Sequence, residues 1–244
     1  NSDLQRLPHL VTPIVTDPSQ AVAALYAVAA EMQQRREQIA AGNAAGQRWQ
    51  IPGRMDVYGD ELAHLVRVDP NITAPLTWIA AEGRGLGYHL IIGTQRPTVD
   101  VMPGHLRANT PCRFAGWVRS AEEARIATGL PASGAEKQNG DGHFVMTIRS
   151  QAETVHGYAL NLATELPPLV DTVCKRWPTK ARGLVISPTA KADMAPVLQE
   201  TETKLKDDSA MLDALLTIAH EEGGTDKISL NRISALGEKV EGAG

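Results

Sequence analysis

The sequence predicts an α/β protein with a mostly parallel sheet flanked by helices, and three observations carry that prediction. Short apolar runs alternate with segments of helical periodicity over most of the chain. One run, His89 to Ile92, follows a helix-like segment and closes at Gly93-Thr94, as a buried parallel strand does. At its end the polar trio Gln95-Arg96-Pro97 begins abruptly. Ligands of open parallel sheets bind at the carboxyl ends of the strands, so Gln95 and Arg96 stand where chemistry is expected.

The elements follow in order. Leu10 to Val15, with Pro13 inside it, reads as a strand near a sheet edge or a tight connection. Asp17-Pro18 is a strong helix start, with a capping carboxylate and a proline at the first helical position. Val22, Leu25, Val28, Ala29 and Met32 then recur at helical spacing, which predicts a helix to about Ala41. Met55 to Gly59 is a weak strand running into Asp60-Glu61, after which Leu62, Leu65 and Val66 open a helix interrupted by Pro70 and Pro75. A second helix covers roughly Leu76 to Arg84, before the central strand. Beyond the Pro103-Gly104 turn, Cys112 to Val118 is a third strand and Ala121 to Thr128 a short helix. Phe144 to Arg149 and Thr154 to Leu160 form a hairpin or paired strands, and Leu169 to Trp177 is a last helix of the same domain.

This pattern divides the chain into a main domain over 1–178, a linker and solvated helix over 179–208, and a small helical segment over 209–244. In the last, the pattern predicts a helical pair, with Met211, Leu212, Leu215 and Ile218 on one helix and Leu230, Ile233, Leu236 and Val240 on the other, separated by Gly223-Gly224.

Composition narrows the function. At 43% hydrophobic and 4% aromatic, the 244 residues support an aliphatic core rather than disorder. A net charge of −4 gives no general basic footprint, so any contact with phosphates must come from local arginines. Two cysteines are too few for a disulfide framework or a thiolate metal site, which fits a reducing cytoplasm. The histidines show no metal-ligand spacing.

Asp60-Glu61 after a strand has two readings. An aspartate there holds Mg²⁺ through its water shell while the glutamate orients a water toward a γ-phosphate, or the pair simply suits the dipole of the helix it precedes. Further motifs decide between them. L-P-H-L-V-T-P-I-V-T-D-P from Leu7, E-M-Q-Q-R-R from Glu31, D-E-L-A-H-L from Asp60, G-Y-H-L-I-I-G-T-Q-R-P-T-V-D-V from Gly87, L-R-A-N-T-P-C-R from Leu106, G-A-E-K from Gly134 and G-D-G-H-F from Gly140 stand in an order that resembles the FtsK/SpoIIIE family of DNA translocases. The likeness covers about residues 5 to 165.

The resemblance implies a RecA-like P-loop NTPase core that works as a hexameric ring around double-stranded DNA and consumes ATP with Mg²⁺. It implies Asp60 as the Mg²⁺-associated acid, Glu61 as the catalytic carboxylate, Gln95 as a γ-phosphate sensor and Arg84 as an arginine finger toward the neighbouring subunit. Arg84 also reads simply as a cation at a helix C-terminus. Arg96, Arg107 and Arg125 match the family's DNA-contact positions, and Ala121 stands where a lysine is usual, so that one contact is either missing or moved to Arg119. Each of these also reads as a solvated surface charge. Arg113, inside the third strand, reads as one half of a structural ion pair.

The chain also departs from the family's pattern. It contains no G-x-x-x-x-G-K-[ST], which in the family lies upstream of the L-P-H-L segment, so the expectation is a C-terminal part of a motor domain, inactive toward ATP by itself. Asp56-Val57-Tyr58-Gly59 stands where large aliphatics are usual. Three functions follow as expectations: a duplex-DNA motor for chromosome segregation, conjugation or mobile-element transfer; a conjugation coupling ATPase; or a non-hydrolysing ring subunit that binds DNA or a partner. The protein is expected in the cytoplasm, with membrane attachment only through a segment outside this sequence.

Overall fold

A computed structural model of the chain describes residues 3–47 and 53–221. Helix α1 (Pro18–Ala44) starts as its sequence dictates: Asp17 is extended, its carboxylate accepts from the Gln20 N–H at 2.8 Å, and Pro18 fills the first turn. Strand β1 (Met55–Gly59) leads through α2 (Leu62–Val68) and α3 (Thr73–Leu86) to β2 (Tyr88–Ile92). The two strands pair in parallel, from Met55 opposite Tyr88 to Gly59 opposite Ile92. This is a β-helix-β unit whose helical crossover packs with α1 to bury Met32, Leu62, Ile72, Leu76, Trp78, Ile79 and Tyr88. Each such side chain contributes about 1.5–3 kcal/mol through its burial.

The seam between α1, α3 and β2 is held by polar chemistry as well. Arg35 of α1 donates through Nη1 to the Leu86 carbonyl at 2.8 Å and to the Gly53 carbonyl at 3.2 Å. Its guanidinium lies 4.4 Å from the centre of the Tyr88 ring and 3.5 Å from Glu31 Oε1. One cation therefore satisfies the last turn of α3, the approach to β1 and the first residue of β2. Burial, with Glu31 second, holds the Tyr88 phenol above its ordinary value. Gly83 completes the seam, because a Cβ there would stand 3.1 Å from the Tyr88 carbonyl oxygen.

After α4 (Gly104–Ala108), strand β3 (Cys112–Ala115) is followed by α5 (Ala121–Thr128), β4 (His143–Ile148) and β5 (Gln151–His156). These strands form an antiparallel sheet of order β3-β4-β5, with Ala115, Ala124, Ala135 and Val145 as its small core. Helices α6 (Leu166–Arg176) and α7 (Ala190–Glu221) complete the described residues.

The α/β class holds, and several elements need correction. The parallel arrangement is carried by β1 and β2; β3 takes an antiparallel partner in β4 and ends at Ala115 rather than Val118. Leu10 to Val15 is not a strand. Pro13 has no N–H to offer a ladder, and the segment is tied instead by the Gln5 side chain, which bonds the Ile14 N–H and carbonyl at 3.0 and 3.2 Å, and by Leu184 N–H donating to the Val11 carbonyl at 2.9 Å. The hairpin is tighter than expected, since β4 and β5 are joined by Arg149-Ser150 alone. Residues 211–218 continue the helix that begins at Ala190, and the expected partner segment around Leu230 to Val240 lies outside the described residues. The chain divides into two compact units, the first running to Met194 and the second starting at Ala195.

Candidate functional site

The parallel register brings the tips of β1 and β2 side by side, and the pairing continues past the strands. Gly93 N–H donates to the Gly59 carbonyl at 2.8 Å, and Leu62 N–H donates to the Gly93 carbonyl at 2.9 Å. Asp60 follows β1 between these bonds, its Oδ1 accepting from the Glu61 N–H at 2.9 Å. A Cβ on Gly93 would stand 3.3 Å from that same oxygen, so the absence of a side chain at Gly93 makes room for the carboxylate. Glu61 caps α2 in the left-handed region at φ 50°, ψ 63°, without a side-chain capping bond. For a residue with a Cβ this conformation costs on the order of 1 kcal/mol.

On β2's side, Thr94 Oγ1 accepts from the Arg96 N–H at 3.1 Å and closes a small turn. The turn leaves Gln95 exposed, with no hydrogen-bond partner for its amide among the described residues. Asp60 and Glu61 follow directly on β1, and Gln95 stands three residues past the end of β2, on neighbouring parallel strands roughly 5 Å apart in the pairing direction. Arg84 is elsewhere. It lies in the last turn of α3, just before β2 begins, so the strand separates it from the Asp60 tip by roughly 15 Å. It is exposed and has no carboxylate partner among the described residues.

The arginines read as nucleic-acid contacts have different surroundings. Arg96 and Arg119 are exposed without ion pairs among the described residues. Arg119 precedes the α5 cap, where Ser120 Oγ accepts from Glu123 N–H at 3.2 Å and Glu123 Oε2 accepts from Arg119 N–H at 2.9 Å. Arg125 is exposed but engaged, donating through Nε and Nη2 to both Glu122 oxygens at 3.0 and 2.6 Å. Arg107, on α4, is half-buried, and its Nε is buried without a partner. Arg113 forms no ion pair among the described residues; its Nε donates to the Thr110 carbonyl at 3.0 Å and its Nη2 to the Arg107 carbonyl. The structural reading of Arg113 stands with a different partner, because the carbonyls at the end of α4 lack helical donors and sit within its reach.

Two contributors were not identified from sequence. Gly93 acts through its missing Cβ, which only the register with β1 reveals. Arg149, which reads in sequence as the last residue of a strand, sits instead in the β4–β5 connection at φ 59°. Among the described residues no group of His, Cys, Asp and Glu is arranged to hold a metal ion by itself, and no helix is long and apolar enough to cross a membrane.

Comparison with known proteins bears out the resemblance read from the motifs. The model of the FtsK/SpoIIIE family matches residues 2–49. The chain is 41% identical over 167 residues to a DNA translocase FtsK of Oceanobacillus iheyensis, covering 61% of this chain and 21% of the relative. It is 38% identical over 165 residues to the DNA translocase SftA of Bacillus subtilis, covering 62% and 17%. With a Bacillus cereus DNA translocase FtsK it shares 33% over 229 residues, covering 84% and 28%. The chain therefore spans 17% to 28% of the length of these curated relatives. Among solved structures, the fold matches the cytoplasmic domain of the Thermomonospora curvata type VII secretion ATPase EccC, with a TM-score of 0.61, 20% identity, and 76% and 24% coverage. It also matches the pCW3 conjugation coupling protein TcpA in its monomer form with ATPγS, with a TM-score of 0.55, 18% identity, and 65% and 50% coverage. The chain thus shares the α/β fold of these two ATPase structures.

Proposed function

We propose, from the premise that this chain is a relative of the FtsK/SpoIIIE family, that it forms part of the motor of an ATP-driven translocase of double-stranded DNA. The observation that carries the reading is the pairing of the Asp60-Glu61 tip with the Gln95 tip across adjacent parallel strands. Paired acids beside an uncommitted amide suit a site where a terminal phosphate is cleaved by water.

The roles follow from the chemistry of each group. Asp60 spends one lone pair on the Glu61 N–H and keeps its other oxygen available. That donor set fits Mg²⁺, which retains several waters and takes one or two carboxylates together with substrate phosphates. When bound, the ion supplies charge neutralisation at the phosphate oxygens. Glu61 accepts the proton of the attacking water, and its position directly after Asp60 sets it beside the same phosphate. Gln95 donates its amide N–H to a γ-phosphate oxygen and thereby reports whether that oxygen is present.

Arg84 is too far along β2 to act on the nucleotide held at its own strand tips. It serves the nucleotide of a neighbouring subunit in a hexameric ring, where an exposed guanidinium without a carboxylate partner is ready for phosphate. Arg96, Arg107, Arg119 and Arg125 supply salt-dependent, sequence-tolerant contacts to the duplex backbone. The assembly works in the cytoplasm.

Displacement of a third strand from blunt duplex DNA by the full-length protein tests the proposal. The expected result is displacement that requires ATP and needs no relaxase. ATP turnover without displacement would reject duplex translocation.

A further inference from the structure

Away from the strand tips, three arginines converge on one small cavity. Arg107 of α4, Arg113 of β3 and Arg149 of the β4–β5 connection line a pocket of about 190 Å³ with Pro111, Thr128 and Gly129. No carboxylate contributes to its lining, and none of the three guanidinium groups has an acidic partner among the described residues. This concentration of positive charge occurs in a chain whose formal net charge is −4.

The cluster is built rather than incidental. Two bonds to backbone carbonyls fix the plane of Arg113, from Nε to Thr110 and from Nη2 to Arg107. Gly129 presses on the same group: a Cβ there would stand 2.5 Å from Arg113 Nη1, so this position admits only glycine while the guanidinium stays in place. Of five N–H donors, Arg113 spends two on the protein. Arg107 Nε is buried with no acceptor, a donor whose desolvation nothing in the protein offsets. Arg113 is held below its ordinary value by burial and then by Arg107. Arg149 occupies a left-handed turn position where glycine carries less strain. An anion with several acceptor oxygens would satisfy the orphaned donor and offset the mutual repulsion in one step.

We propose that the Arg107–Arg113–Arg149 pocket is a binding site for a tetrahedral oxyanion of the phosphate class. The ligand is either a phosphodiester of bound nucleic acid or a free or nucleotide-borne phosphate. The pocket stands on its own geometry, and only its phosphodiester source, through Arg107, rests on the translocase reading.

Calorimetric titration of the 244-residue chain with inorganic phosphate at constant ionic strength tests it, using chloride as the reference anion. Wild type is expected to bind phosphate saturably, and both Arg107→Gln and Arg149→Gly to weaken it at least fivefold. Arg149→Gly relieves the turn, so its melting temperature is expected to equal or exceed that of wild type, which separates lost binding from lost folding. No saturable phosphate binding by wild type, or unchanged affinity in both variants, overturns the proposal. Titration with blunt duplex DNA then distinguishes the sources. Parallel weakening of duplex and phosphate binding in Arg149→Gly supports a phosphodiester, and unchanged duplex binding with lost phosphate binding supports a free or nucleotide-borne phosphate. A wild type that binds phosphate but no duplex counts against the DNA reading and for the pocket.

Discussion

The Asp60 carboxylate lies against Gly93, where a first side-chain carbon would stand 3.3 Å from Oδ1. That spacing is tighter than ordinary contact, so Gly93→Ala must displace the carboxylate by a few tenths of an ångström. The backbone bonds on both sides of Gly93 resist the alternative of moving β2. Displacing a group proposed to position the reacting phosphate is expected to reduce ATP turnover by the full-length protein about tenfold or more. Urea unfolding of the same variant is expected to change by less than about 1 kcal/mol, since the tip is exposed. Wild-type turnover in Gly93→Ala would show that Asp60 is not held to a fixed place.

Glu61 combines a left-handed backbone with the proposed catalytic carboxylate. Glu61→Gln is expected to leave nucleotide binding intact and to lower turnover by roughly 10² to 10⁴, the usual contribution of a general base. Glu61→Gly removes the same carboxylate and relaxes the backbone. It is expected to match the glutamine variant in turnover while holding or gaining about 0.5–1 kcal/mol of stability by thermal unfolding. Stability lost in Glu61→Gly would mean that the glutamate side chain supports the fold and that its geometry is not a strain kept for chemistry.

Arg35 is expected to be the most sensitive polar residue for stability. Its side chain is 11% exposed and serves the Leu86 and Gly53 carbonyls, the Tyr88 ring and Glu31 together. Arg35→Ala leaves these without their donor and is expected to cost about 2–4 kcal/mol in urea unfolding. Arg35→Lys should recover less than half of that, because an ammonium cannot bridge two carbonyls in one plane while covering an aromatic face. Equal stability of the lysine variant and wild type would reduce the seam to simple charge pairing.

Features with a local cause were legible in the sequence. Asp17-Pro18, Met55 to Gly59 and Ser120 followed by Ala121 to Thr128 all carry their capping or patterning residues within one turn or one strand. Features set by tertiary partners were not. Whether β3 pairs parallel or antiparallel depends on β4, whose Val145 lies 30 residues beyond its partner Ala115, and no residue inside Cys112–Ala115 specifies it. Arg113 reads equally well as an ion-pair member or a carbonyl donor until the end of α4 is seen folded against it. In the same way, Asp60-Glu61 and Gln95 are separate motifs in sequence, and the β1–β2 register is what makes them neighbours.

Arg125 reaches any DNA phosphate only by competing with Glu122, which already accepts from its Nε and Nη2. The hydrogen bond from Arg125, opposed by slight desolvation and aided by charge, holds the Glu122 carboxylate below its ordinary value. A carboxylate depressed in this way keeps its interaction above its unfolded pKa and loses it only as pH falls through the folded value, so the pair is fully formed at neutral pH. Both groups are exposed, so the pair adds little to stability and a phosphate can replace it. Glu122→Gln removes the competitor's charge and is expected to tighten duplex binding about threefold to tenfold at low salt. Arg125→Ala is expected to weaken binding and to lower the slope of log affinity against log salt by about one. Glu122→Gln is expected to keep that slope at or above the wild-type value, since Arg125 then meets phosphate unopposed. Binding assays across a salt series in which neither variant departs from wild type would take Arg125 off the DNA path and leave Glu122–Arg125 as a surface pair of α5.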